Sequence, residues 1–173
     1  MMGRETFLID SNSLITPFRS YYSFDLASKF WEKMGIAIKS GKVKILDLVA
    51  KELLNGSDDA LEKWLVSLSV EYIDRRNNQV ISEYRRILDY IQDNPCYKTE
   101  ALTEWSKSDI ADPWLIAVSS VYHTTLVTFE APNKGLNSNS PSKNPKIPDV
   151  AAHFDVKTAN LFYLMRQLQI NLD

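Results

Sequence analysis

Residues 7–15 read FLIDSNSLI: three apolar side chains, Phe7, Leu8 and Ile9, then Asp10, then the polar run Ser11, Asn12 and Ser13. A short apolar segment cut off at once by turn-forming residues has the pattern of a buried strand. Residues 6–9 are therefore read as the central strand of a sheet, with Asp10 carried at its end. Working outward, residues 43–46 and the β-branched stretch 125–129 give two further strands. Helical spacings lie between them. Leu26, Phe30, Met34 and Ile38 line one face of a helix over 24–39, with Gly41 just past it. Asp47 opens a helix through Leu48, Val49, Leu53 and Leu54 that stops at Asn55-Gly56. Ser57-Asp58-Asp59 opens the next, with Leu61, Trp64, Leu65 and Leu68 on one side, and 80–91 repeats the pattern through Ile81, Tyr84, Leu88 and Ile91. Asp112-Pro113 is a strong helix start, and Thr158 is placed to cap a last helix bearing Leu161, Phe162, Met165 and Leu168. Strands separated by helices imply parallel pairing through crossovers. The predicted fold is α/β, a three-layer α/β/α sandwich with a mainly parallel central sheet.

Bulk properties narrow the class. The chain has 173 residues, 45% hydrophobic and 24% charged, which fits one domain over 1–173 with a sizeable core. A formal charge of -2 creates no global field for nucleic acid, so such binding needs a local basic patch. The single cysteine, Cys96, excludes an internal disulfide and a cysteine-built metal site, and fits a reducing compartment. With no leader pattern and no apolar run of spanning length, the expectation is a cytoplasmic protein with no membrane partner. Residues 132–146 turn to asparagine, serine, proline and lysine without apolar periodicity, which predicts a mobile loop. Its only charges are Lys134, Lys143 and Lys146, candidates for holding a phosphate backbone.

Carboxylates recur where the strands and helices would bring them to one sheet edge. Asp10 ends the first strand, Asp112 starts a helix, Glu130 follows the 125–129 strand and Glu52 lies within a helix. Ligands in parallel sheets sit at the carboxyl ends of strands. Carboxylates converging there need a cation to stay ionised together, and hard ions such as Mg²⁺ or Mn²⁺ take oxygen ligands. Ser11 and Asn12 would orient Asp10 or metal-bound water, and Asp109 would join Asp112. Each position also has a plainer explanation. Asp10 and its neighbours are common turn residues, Asp112 is accounted for by capping, Glu52 by a solvated helix face, and Glu130 by a loop.

The pieces FLIDSNSLI (7–15), VAKEL (49–53), ADPWLIAVSS (111–120) and TLVTFE (125–130) resemble the PIN-domain family, the metal-dependent ribonuclease fold found in many bacterial toxins. YYSFDLASKFWEKM (21–34) and KIPDVAAHFDV (146–156) are similar to a little-studied PIN-like subfamily. The resemblance puts the family's first acid on Asp10 with Asn12 as its companion, the helical acid on Glu52 and the third acid on Asp112. The fourth falls on Glu130, where many members carry aspartate. It implies an endoribonuclease acting with Mg²⁺ or Mn²⁺ on RNA, the toxin of a toxin–antitoxin pair, often homodimeric and blocked by a protein antitoxin. Tyr21, Tyr22 or Trp114 would stack unpaired bases. Two rival readings stand beside it. One is a phosphatase of the haloacid-dehalogenase type with Asp10 as nucleophile, although Asn12 replaces the second aspartate of that pattern. The other is a PIN-like module that binds RNA or protein without cutting.

Overall fold

The computed structural model describes residues 4–173 and divides them into two compact units. The first three residues of the expected domain lie outside the described residues. One unit takes in the chain up to Asp74 together with Thr125–Phe129 and Ala159–Asp173, and the other takes in Arg75–Thr124 and Glu130–Thr158.

The first unit is built on the sheet. Strand β1 (Phe7–Ile9) is entirely buried, as its three apolar side chains require. Helix α1 (Asn12–Ser20) follows directly, then α2 (Ser28–Lys39), strand β2 (Val43–Lys44), α3 (Asp47–Leu54) and α4 (Asp59–Leu68). The stretch 11–13, whose residue types favour a turn, is instead the entry of α1, and Ser11 already has helical dihedrals. Gly41 supplies the left-handed residue, φ 77°, that lets the chain reverse after α2 into β2. The α2 face predicted from Phe30, Met34 and Ile38 is buried, whereas Leu26 precedes the helix and stays exposed. Trp31 is packed by Phe18, Phe24, Phe30 and Trp64, and its indole N–H donates to the Tyr22 carbonyl at 2.6 Å.

The second unit begins with α5 (Asn78–Asp93), α6 (Thr99–Trp105) and α7 (Asp112–Tyr122). The chain then returns to the sheet as β3 (Thr125–Val127), forms α8 (Ile147–His153), and ends with β4 (Thr158–Ala159) and α9 (Leu161–Gln167). In α7, Leu115, Ile116, Ala117 and Val118 are all fully buried, and α5 packs beside it through Val80, Ile87 and Ile91.

The sheet runs β2-β1-β3-β4, with β1 pairing in parallel to both neighbours. Phe7 faces Val43 on one side and Thr125 on the other, so the register follows directly from three short apolar strands. The class is the expected one, α/β with helices against a parallel central sheet, consistent with a three-layer α/β/α sandwich. No helix among the described residues is long and apolar enough to cross a membrane. The segment 132–146 forms no helix or strand, as its composition predicts, but it is laced by hydrogen bonds from its own asparagines and serines.

Candidate functional site at the carboxyl edge of the sheet

Asp10 leaves the carboxyl end of β1 and is only 7% exposed. Its backbone N–H donates to the Val127 carbonyl at 2.9 Å, which extends the β1–β3 ladder by one residue and holds the side chain at the sheet edge. A buried carboxylate needs donors or positive charge around it. Thr128, the residue after β3, donates its hydroxyl to Oδ2 at 3.2 Å, and Ser11 lies beside Oδ1 at 3.5 Å. The start of α1 adds the positive end of a helix immediately after the acid. Ser13, fully buried, donates to the Val127 carbonyl at 3.4 Å and ties the first turn of α1 to β3.

The remaining expected residues fall in several places. Asn12 is the first residue of α1 and is exposed, while Ser11 is buried against the acid. Glu52 belongs to the same unit as Asp10 and is exposed on α3, a helix that starts from the carboxyl end of β2 and hence at the same sheet edge. Asp112 belongs to the other unit as the first residue of α7. It is half-buried, with Ala111 in the capping position and the carboxylate at the helix's positive end. Asp109 is exposed in the turn before it. Glu130 is half-buried, and its Oε2 accepts the Ile147 N–H at the start of α8, 2.7 Å away. Lys134 and Lys143 are exposed and Lys146 is half-buried. Among the described residues no group of three or more histidine, cysteine, aspartate or glutamate side chains is arranged to hold a metal ion.

Of the aromatics named as stacking platforms, Tyr21 remains 41% exposed. Trp114 is already engaged: Tyr84 stacks on it at 3.8 Å with an 11° tilt, and the Arg75 guanidinium lies 5.7 Å from its centroid. Thr128 is the contact to Asp10 that the sequence reading passed over. Its signal was present, since it is the last residue of TLVT on a strand adjacent to the one that delivers Asp10.

The family model described as Domain of unknown function (DUF4411) matches residues 7–172, and the chain belongs to that family. Among curated proteins none matches.

Proposed function

We propose that this DUF4411 protein is a Mg²⁺- or Mn²⁺-dependent endoribonuclease, the toxin of a toxin–antitoxin pair, acting in the cytoplasm on RNA and restrained by a protein antitoxin, with a homodimer as its assembly. The observation that carries the reading is Asp10: a buried acid at the ligand-binding edge of a parallel sheet, oriented by hydroxyls and a helix start. Keeping a carboxylate in such a place costs stability unless donors or a cation offset it, and groups held at that cost cluster at functional sites.

The donor set fits a hard cation by its chemistry. Asp10, Glu52 and Asp112 offer only carboxylate oxygens, and Mg²⁺ is usually held by one or two of these together with waters and substrate phosphate oxygens. A cage of three carboxylates assembled in advance is therefore not a requirement. When bound, the ion would acidify a water and offset charge on the phosphodiester. In this reading Asp10, Glu52 and Asp112 keep the ligand roles that the PIN-domain resemblance implies, with Glu52, being exposed, taking part through water. Thr128 and Ser11 fix the Asp10 rotamer, which shortens the search for a reactive geometry. Glu130 enters as the support of α8 through the Ile147 N–H, which separates its role from that of the other acids. No covalent enzyme intermediate is needed.

The test compares wild type, Asp10→Asn and Asp112→Asn on a mixed RNA pool, with and without Mg²⁺ or Mn²⁺. Asparagine keeps the size and helix-start compatibility of aspartate and is a poorer ligand for a hard ion. The expected result is cation-dependent cutting by wild type and a loss of at least about 100-fold in each variant, with melting temperatures close to wild type. Equal cutting by all three proteins would overturn the reading. If Mn²⁺ neither raises the melting temperature nor supports cutting, the non-cleaving module takes its place.

A further inference from the structure

The loop 131–146 carries Lys134, Lys143 and Lys146 and no acidic residue, and its course is fixed at both ends and near its tip. Glu130 Oε2 accepts the Ile147 N–H at 2.7 Å, and Asp149 Oδ2 accepts the Asn133 N–H at 2.9 Å, so two carboxylates clasp the base. Asn137 Oδ1 accepts the N–H groups of Asn139 and Ser140 at 3.0 Å each. Farther along, Ser142 donates its N–H to the Cys96 carbonyl at 2.8 Å and accepts the Lys98 N–H at 2.9 Å, a parallel bridge that pairs Tyr97 with Ser142. All of these residues belong to one unit.

The bridge has an electrostatic consequence. The Lys98 N–H bond to the Ser142 carbonyl joins Lys98 to the peptide that leads into Lys143, so the two lysines spring from neighbouring backbone positions. Both are exposed, and neither forms an ion pair among the described residues. Two like charges carried on neighbouring backbone positions repel, and the loop has no carboxylate of its own to offset them. The two bonds of the bridge and the start of α6 fix the backbone from which Lys98 rises, so the two ammonium groups share one stretch of surface. An anion that spans two ammonium groups removes the repulsion, and a backbone phosphate flanked by further phosphates has the right charge and spacing.

We propose that Lys98 and Lys143 form a phosphate-binding subsite for the backbone of single-stranded RNA, with Lys134 and Lys146 extending it along the clasped loop. The choice of RNA rests on the reading in the preceding section. Contact with phosphate carries no sequence information, so the subsite sets where the strand lies and leaves base choice to other residues.

The experiment measures binding of a fluorescein-labelled oligouridylate to the full-length protein in EDTA, by anisotropy, over a series of NaCl concentrations. Lys98→Gln with Lys143→Gln is expected to weaken binding and to lower the salt slope by about 1.4, two contacts at about 0.7 each for a single strand. Lys98→Arg with Lys143→Arg is expected to restore both, and far-UV circular dichroism is expected to show the same fold in all variants. Inorganic phosphate competing as well as the oligonucleotide would overturn the proposal in favour of a small-anion site. Preference for phosphatidylserine vesicles would overturn it in favour of a lipid surface. Unchanged affinity and slope in the glutamine variant, or no binding by wild type, would overturn it outright. Because the assay contains no divalent ion, it is independent of cleavage: a protein that binds with the expected slope but never cuts retains the subsite and loses the nuclease.

Discussion

Tyr97 and Asp10 are both buried polar residues, and they solve burial differently. Asp10 has hydroxyl donors turned toward it, a pattern that suits a group used by a ligand. Tyr97 is 8% exposed and its hydroxyl has no hydrogen-bond partner among the described residues. Burial, followed by the neighbouring Tyr90, Asp149 and Cys96, pushes its pKa well above the ordinary value of 10.0. The folded protein thus holds this phenol neutral after the unfolded chain has begun to ionise. Its contribution is complete below about pH 10 and is lost as the pH climbs toward the higher folded value. Tyr97→Phe removes the unpaired hydroxyl, and the variant is expected to match wild type or exceed it by about 1 kcal/mol at neutral pH. Calorimetry at pH 8 and above pH 10 is expected to show a shallower alkaline decline in melting temperature. Some decline will remain, because burial also raises Tyr21, Tyr72 and Tyr84. A melting temperature below wild type by several degrees at pH 8 would show that the hydroxyl is satisfied in solution. Neither environment was legible in the chain: CYKTE and LIDSN give the residue types, but only neighbours distant in sequence decide which polar atom is satisfied.

At the scale of elements, apolar periodicity was sufficient for α2 and α4, whose buried faces are built on the residues the spacing selects, whereas α5 forms where expected but buries Val80, Ile87 and Ile91, so that of Ile81, Tyr84, Leu88 and Ile91 only the last lies on its buried face. Their ends were less legible. Asn77 and Asn160 cap α5 and α9 with side-chain oxygens, the latter accepting the Tyr163 N–H at 2.9 Å, whereas Thr158 is drawn into β4. The carboxylate of Asp58 sits at the start of α4 but is taken by Arg19 at 2.6 Å. Helix α1 was hidden because Ser-Asn-Ser favours turns locally, and α6 and α8 are seven residues each, too short for periodicity to register. Helix α7 ends on His123 in the left-handed region at φ 56°, where a side chain costs free energy that glycine avoids. His123→Gly is expected to stabilise the fold by about 0.5–1 kcal/mol, seen as a higher urea midpoint with an unchanged slope. A lower midpoint would mean that the imidazole makes a contact worth more than the strain.

Taken whole, the molecule interleaves its segments, and each compact unit draws on separated stretches of chain. The last fifteen residues, Ala159–Asp173, complete the unit that holds Asp10. Ala159 accepts the Thr128 N–H at 3.0 Å, and Leu161, Leu164, Met165 and Ile170 are buried. Four such side chains contribute roughly 6–12 kcal/mol by burial, comparable to the entire net stability of a typical domain of about 5–15 kcal/mol. A chain ending at Thr158 is therefore expected to lose its cooperative melting transition; a truncated protein that still melted cooperatively would show that this segment is dispensable. The sequence by itself determined the α/β class, the three principal strands and the placing of Asp10 at a strand end, because short apolar runs and helical periodicity are local signals that burial enforces. Tertiary structure alone decided that Thr128 serves Asp10, that Glu130 supports α8, and that Lys98 and Lys143 spring from neighbouring backbone positions, because each depends on chain segments that meet only when long loops close.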